Sequence, residues 1–350
     1  MRGQSMVTPE DVQPARVVDA TTRGIDDLDV AAWMGFTGAA CVVRTALQHP
    51  FMLAYTRRQI SPTLATLSSR ELLARMRRDT GGSWRSMYRG FGALALGNVT
   101  CEVAFLVGYE WLRNPGGSSP LAAVAPRVAA VDGVDSGQEP SRHFLNASSS
   151  FVVDAAVTVA HVPFMLVATR QMCAGAGVAS AAPYKGAWAT LSGAAKSSPL
   201  GWRGIFTGLS AALLMSLHSS PLWAGYEDLK ARMYPALRPS LDSIATAYPW
   251  LPAPLVSTAD NVPINTIAAG TAAGIAAALW NPALVLQTRM QVASESSVPP
   301  RLRELAASIW RTEGARGFTR GTCMFVASSV VDGAAFSLVY ETSKQLSQQP

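Results

Sequence analysis

The sequence predicts an all-α membrane protein with six transmembrane helices, organised as three tandem two-helix repeats. Three observations predict it. Charged residues make up only 15% of the 350-residue chain against 49% hydrophobic, where a soluble domain carries about a quarter charged. Six segments, near residues 30–59, 91–113, 148–172, 208–230, 263–291 and 321–346, mix apolar residues with Gly, Ala, Ser and Thr. A set of short signatures recurs three times, each time in the same order.

None of the six segments is an unbroken apolar run of the ~20 residues that a bilayer core needs, and mean hydropathy is only +0.18. That combination suits helices that each keep a polar face toward an internal cavity. Small residues, as in AGTAAGIAAAL from Ala269 and GLSAALLMS from Gly208, let membrane helices approach closely. A soluble bundle would carry more Glu and Lys on its outer faces. Between the paired segments lie short amphipathic stretches, SSRELLARMRR from Ser68 and RLRELAASIWRTEG from Arg301, the latter with Leu302, Leu305, Ile309 and Trp310 at helical spacing. Such helices lie along a membrane surface. The stretch from Arg57 to Arg89 holds eight Arg against Glu71 and Asp79. The positive-inside rule therefore puts these loops on one side of the membrane and both termini on the other.

The predicted organisation is a flexible N-terminal segment (1–29), repeat one (30–113), a flexible Gly/Ser/Pro-rich linker (114–147), repeat two (148–230), a proline-containing inter-repeat loop (231–262) and repeat three (263–346). The N-terminus lacks the apolar stretch of a secretory signal, and Glu10, Asp11, Asp19, Asp26, Asp27 and Asp29 do not suit a mitochondrial presequence, so any import signal is expected to be internal. Net charge is +6. The basic residues are not interleaved with aromatics as a nucleic-acid groove requires, so nucleic acid is not an expected partner. Cys41, Cys101, Cys173 and Cys323 form no CxxC pair, and neither a metal nor a cofactor is expected. The chain has no Walker A loop, no GxGxxG and no supported Ser/His/Asp set, which argues against an enzyme.

The recurring signatures begin with PFMLAYTRRQ from Pro50, PFMLVATRQM from Pro163 and PALVLQTRMQ from Pro282, each with Thr-Arg six and seven places after the Pro. Next come YRG ending at Gly90, FTG ending at Gly208 and TRG ending at Gly321, the last behind EGARGF from Glu313. Last are YEWLR from Tyr109, YEDLK from Tyr226 and YETSK from Tyr340. This pattern resembles the mitochondrial carrier family (solute carrier family 25) over about residues 30–346, as a divergent member. PFMLAYTRRQ and YRGF are similar to the branch that includes the branched-chain amino-acid carrier.

The resemblance implies six tilted helices in threefold pseudosymmetry around a cavity, three amphipathic matrix helices, and termini in the intermembrane space. It implies a kink at Pro50, Pro163 and Pro282 and a matrix-side gate of charged residues behind each. Here that gate is eroded. Met52, Met165 and Leu284 stand at the acid positions, and Tyr55, Ala168 and Gln287 at the base positions. Arg57, Arg170 and Arg289 remain, with Gln59 and Gln291 at the glutamine-brace place. The cytoplasmic-side gate is complete: Tyr109, Glu110 and Arg113, Tyr226, Glu227 and Lys230, and Tyr340, Glu341 and Lys344. Each of its ion pairs is worth ~0–1 kcal/mol if partly solvated.

Substrate positions, counted from the repeat glycines as the family implies, are Gly97 and Asn98, Met215 and Ser216, and Ser328 and Ser329. All are uncharged, which points to a neutral or zwitterionic solute, an amino acid included. Arg44 is a mid-helix ionisable group and a candidate ligand contact or a partner of Glu102. Asp154, His161, His218 and Asp332 are further intramembrane candidates. The function expected is alternating-access transport of a small metabolite across the mitochondrial inner membrane by a multi-pass monomer. Its partners are that solute and membrane lipid, cardiolipin at the matrix helices included. The alternative is a carrier-derived scaffold or adaptor that no longer transports, with the outer membrane as its site.

Overall fold

The computed structural model describes residues 30–78, 83–113, 139–176, 186–196, 198–217, 219–258, 261–293 and 300–346. The predicted N-terminal segment and residues 114–138 of the predicted linker lie outside these. The described residues are helical, without strands. The elements used below are α1 (Val30–Ile60), α2 (Ser69–Arg78), α3 (Phe91–Arg113), α4 (Glu139–Cys173), α5 (Ala187–Lys196), α6 (Leu209–Ser216), α7 (Ser219–Ala247), α8 (Val262–Val292), α9 (Leu302–Glu313) and α10 (Thr322–Leu346).

The long helices close into a ring. α1 packs on α3 and α10, α4 on α3 and α6, and α8 on α6, α7 and α10. Small residues set the α8–α10 approach: a Cβ at Gly333 would stand 2.8 Å from the Ala269 carbonyl oxygen, and one at Gly274 would stand 2.9 Å from Val330. Pro50, Pro163 and Pro282 lie inside α1, α4 and α8 at one common register. The chain end of each helix beyond its proline meets the other two at what is here named the motif end. The main apolar core sits there, with Leu53, Tyr55, Leu72, Met76, Ala168, Met172 and Leu284 buried together.

The amphipathic helices form as predicted. α2 is opened by Ser68, whose N–H donates to Glu71 (2.8 Å) while its Oγ accepts from the Glu71 N–H (3.3 Å). It buries Leu72 and Met76, four residues apart, and turns its arginines outward. α9 buries Ile309 and exposes Trp310.

Three differences from the sequence reading stand out. Among the described residues three helical stretches, not six, are long and apolar enough to cross a membrane: Phe151–Cys173, Val262–Val292 and Ala315–Val339. α1 carries Arg44, Gln48 and His49, and the apolar stretch described in α3 is the shorter Phe91–Phe105. In the fourth predicted segment α6 ends at Ser216 and α7 begins at Ser219. Second, α4 already begins at Glu139, inside the linker. Third, α7 runs through Pro235 and Pro239 to Ala247, and a further short helix spans Ala253–Val256, so much of the 231–262 loop is helical. Tyr234 ties this extension back: its hydroxyl donates to Asn265 (3.0 Å) and accepts from the Asn261 N–H (2.7 Å).

Candidate functional site

The three Thr-Arg signatures converge at the motif end, and their arginines act in a cycle. Arg57 Nε donates to the Met172 carbonyl, Arg170 Nε to the Gln291 carbonyl and Arg289 Nε to the Gln59 carbonyl, each at 2.9 Å. Every acceptor lies two residues beyond the arginine of the next signature. Arg57 is buried, at 1% exposure, and also reaches the Ala174 carbonyl at 3.5 Å. A charged donor on a buried carbonyl is worth ~1.5–3 kcal/mol.

Two glutamine braces reinforce this clasp. Thr288 Oγ1 donates to Gln59 Oε1 at 2.7 Å, and Thr169 Oγ1 to Gln291 Oε1 at 2.8 Å. At the third seam Met172 stands in the brace position and offers no amide.

The repeat glycines seat on the same seams. Gly90, Gly208 and Gly321 have φ of +83°, +91° and +79°, a region that L side chains rarely adopt. A Cβ at Gly90 would stand 2.7 Å from the Ala168 carbonyl oxygen, and one at Gly321 would stand 3.0 Å from that of Tyr55. One at Gly208 would meet the Gln291 side chain at 3.0 Å and the Gln287 carbonyl at 3.5 Å. Each glycine thus abuts the eroded base position of the next signature, where the backbone itself is the contact.

The residue before the first and the third of the signature prolines supplies a second tie, which sequence reasoning missed. His49 Nε2 bonds the Arg89 carbonyl at 3.0 Å, and Asn281 Nδ2 donates to the carbonyls of Phe318 (2.6 Å) and Arg320 (3.4 Å). Val162 holds this place in the middle signature and has no polar group. The signal was available as a buried polar residue beside a helical proline. Glu313 completes the third segment: Arg289 binds it bidentately at 2.6 and 2.8 Å, and Arg320 adds an ion pair at 2.8 Å. Hydrogen bonds from Arg289, then the nearby Arg289 and Arg320 charges, hold the Glu313 carboxyl below the usual range.

Residues 259–350 match the family model for mitochondrial carrier proteins. The match takes in Pro282, Thr288, Arg289, Glu313 and Gly321, so the third copy of the motif-end geometry falls inside a carrier domain. No curated protein matches the chain.

Deeper in the ring, Arg44 joins three helices. Its terminal nitrogens grip both oxygens of Glu102 at 3.0 and 2.6 Å. Its Nε makes an ion-pair contact of 2.7 Å with Asp332 Oδ1, which also accepts from Gln48 at 3.0 Å. The guanidinium carbon lies 5.4 Å from the Phe336 ring centre. Of the predicted substrate positions, Asn98 is held between Thr45 (3.0 Å) and His161 (3.0 Å), joining α1, α3 and α4. Gly97 is a close-packing point, where a Cβ would stand 2.6 Å from that of Phe164. Ser216 returns its hydroxyl to the Leu213 carbonyl at 2.8 Å, beside Met215 at the end of α6. Ser328 is buried and Ser329 half-buried on α10.

Of the predicted cytoplasmic-side ring, the Lys230 ammonium lies 4.8 Å from the Tyr226 ring centre. The side chains of Tyr109, Glu110, Arg113, Glu227, Tyr340, Glu341 and Lys344 lie outside the described residues, as does His218. On the outer surface, a cleft of about 670 Å³ lies between the turn before α6 and the start of α9, lined by Arg203, Gly208, Arg301, Leu302, Arg303 and Glu304.

Proposed function

We propose that this protein is a mitochondrial carrier-type solute transporter, working by alternating access across the inner membrane through a six-helix ring of threefold pseudosymmetry. The observation that carries this reading is the cyclic arginine clasp. It shuts one end of the ring, while Asp332, deep among the helices, keeps 38% of its side chain accessible. A ring closed at one end and accessible within is what an outward-open transporter requires. The basic amphipathic helices beside the clasp support assigning it to the matrix side.

The Nε acceptor of each arginine in the clasp is a backbone carbonyl, and Arg289 is in addition paired with the Glu313 carboxylate. The Tyr-Glu-x-x-Lys/Arg ring would close the opposite end, three ion pairs biasing a two-state equilibrium. The outer cleft, with three arginines around it, suits an anionic lipid headgroup, cardiolipin among the candidates. The scaffold alternative draws on the Arg44 cross-tie, which braces α1, α3 and α10 against one another.

Uptake into proteoliposomes decides between the two. The panel is neutral, zwitterionic and cationic metabolites, with branched-chain amino acids first. Uptake of at least one solute, reduced by Arg57→Ala, is the expected result. No uptake across the panel by folded protein overturns the transport reading.

A further inference from the structure

The Arg44 cluster holds one cation and two carboxylates, a net charge of −1 in the ring interior. The terminal pair of the guanidinium is engaged by two hydrogen bonds to Glu102, and the Nε side is occupied by Asp332 Oδ1, at 2.7 Å in an ion-pair contact without hydrogen-bond geometry. Arg44 therefore presents no open fork to an incoming carboxylate. Asp332 is different. Its two contacts, from Gln48 and Arg44, both fall on Oδ1, and among the described residues Oδ2 has no partner. Its accessibility of 38% is about twice that of Arg44 (16%) or Glu102 (19%). A carboxylate set among the helices with 38% of its side chain accessible can be reached by a solute, and one excess negative charge there is costly until a cation neutralises it.

Phe336, one helical turn beyond Asp332, already carries the Arg44 guanidinium 5.4 Å from its ring centre, so an aromatic ring that favours cations borders the same cluster. A metal ion is a poor fit, since hard cations take about six oxygen ligands and no three His, Cys, Asp or Glu among the described residues are grouped to hold one. An ammonium, with directional N–H donors, needs only the Oδ2 atom and neighbouring acceptors.

We infer that Asp332 anchors a subsite for a primary ammonium, so that the solute is recognised through an amine, with Arg44 serving as the fixed counter-charge of Glu102 rather than as a carboxylate clamp. The inference rests on the transport reading for what becomes of the ligand, but not for its binding.

The test uses four probes on a four-carbon chain: n-butylamine, γ-aminobutyrate, butyrate and n-butanol. Binding to the full-length protein in detergent is read by thermal shift and calorimetry. Butylamine and γ-aminobutyrate are expected to bind, and butyrate and butanol not. Asp332→Asn, checked for an unchanged gel-filtration profile, should lose roughly tenfold or more in butylamine affinity, and Asp332→Glu should retain it. Phe336→Leu leaves every charge in place and should cost a few-fold, which keeps the inference testable if Asp332→Asn does not fold.

Binding of γ-aminobutyrate without butylamine would return the carboxylate to Arg44 and overturn the inference, as would unchanged butylamine binding by Asp332→Asn. The same probes in proteoliposomes separate the two readings. Amine binding without any uptake leaves the subsite standing and removes transport. Uptake of butyrate or butanol without amine binding does the reverse.

Discussion

At the motif end, three arginines reach across three seams to backbone carbonyls, whereas in the ring interior one arginine is shared between two carboxylates. The first arrangement does not depend on the side chains of the accepting residues, because a carbonyl is present whatever side chain it carries. Met52, Met165 and Leu284 can stand where acids are expected and the clasp persists. The second depends on three particular side chains on three helices, and losing Arg44 leaves two carboxylates side by side without their counter-charge.

The largest effect should come from breaking the interior. Arg44→Met strands Glu102 and Asp332 together and is expected to cost ~3–5 kcal/mol, read as a lowered melting temperature in detergent. A milder loss than for Arg57→Met would refute the contrast between the two regions. Next is the motif end's backbone: Gly90→Ala puts a Cβ 2.7 Å from the Ala168 carbonyl oxygen at φ +83°. The strain and the clash together should cost ~2–4 kcal/mol, while the same change at Gly92, which has open space, should be near neutral.

Glu313 gives a pH-dependent test of the third segment. Its folded carboxyl titrates below the unfolded one, so its contribution is complete above the ordinary value of about pH 4.3 and is lost as pH falls through the lower folded value. Glu313→Gln should cost ~1 kcal/mol at neutral pH for this partly exposed cluster. The gap between variant and wild-type melting temperatures should close on acidification, and a gap that stays constant down to strong acid would contradict the assignment.

The smallest effect sharpens the comparison among the three seams. Met172→Gln supplies the missing brace opposite the Thr56 register and should stabilise by ~0.5–1.5 kcal/mol if the bond forms. A destabilised variant would show that the middle seam is packed rather than braced.

Much of the motif end was legible in the sequence. The Pro, Thr-Arg and Gly positions were found by their spacing. The arginine partners were not, because every residue offers a carbonyl and an acceptor of that kind leaves no mark on the residues that surround it. His49 and Asn281 were overlooked for the opposite reason: each is a single polar residue of a different type, so no shared letter drew them together. In the interior, Arg44, Glu102 and Asp332 were all readable as intramembrane ionisable groups, but they lie on helices far apart in the chain and nothing local fixes which carboxylate takes the fork.

The sequence by itself determined the repeated register of prolines, arginines and glycines. A positive-φ turn pressed against a neighbouring backbone admits little but Gly, and a buried charged donor has few substitutes. Only the tertiary structure decided that each arginine would close on the next segment's carbonyl, and that Asp332 would keep one oxygen without a partner among the described residues. Those outcomes depend on how the helices meet around the ring, and distance across a ring is not encoded in the spacing along any one of them.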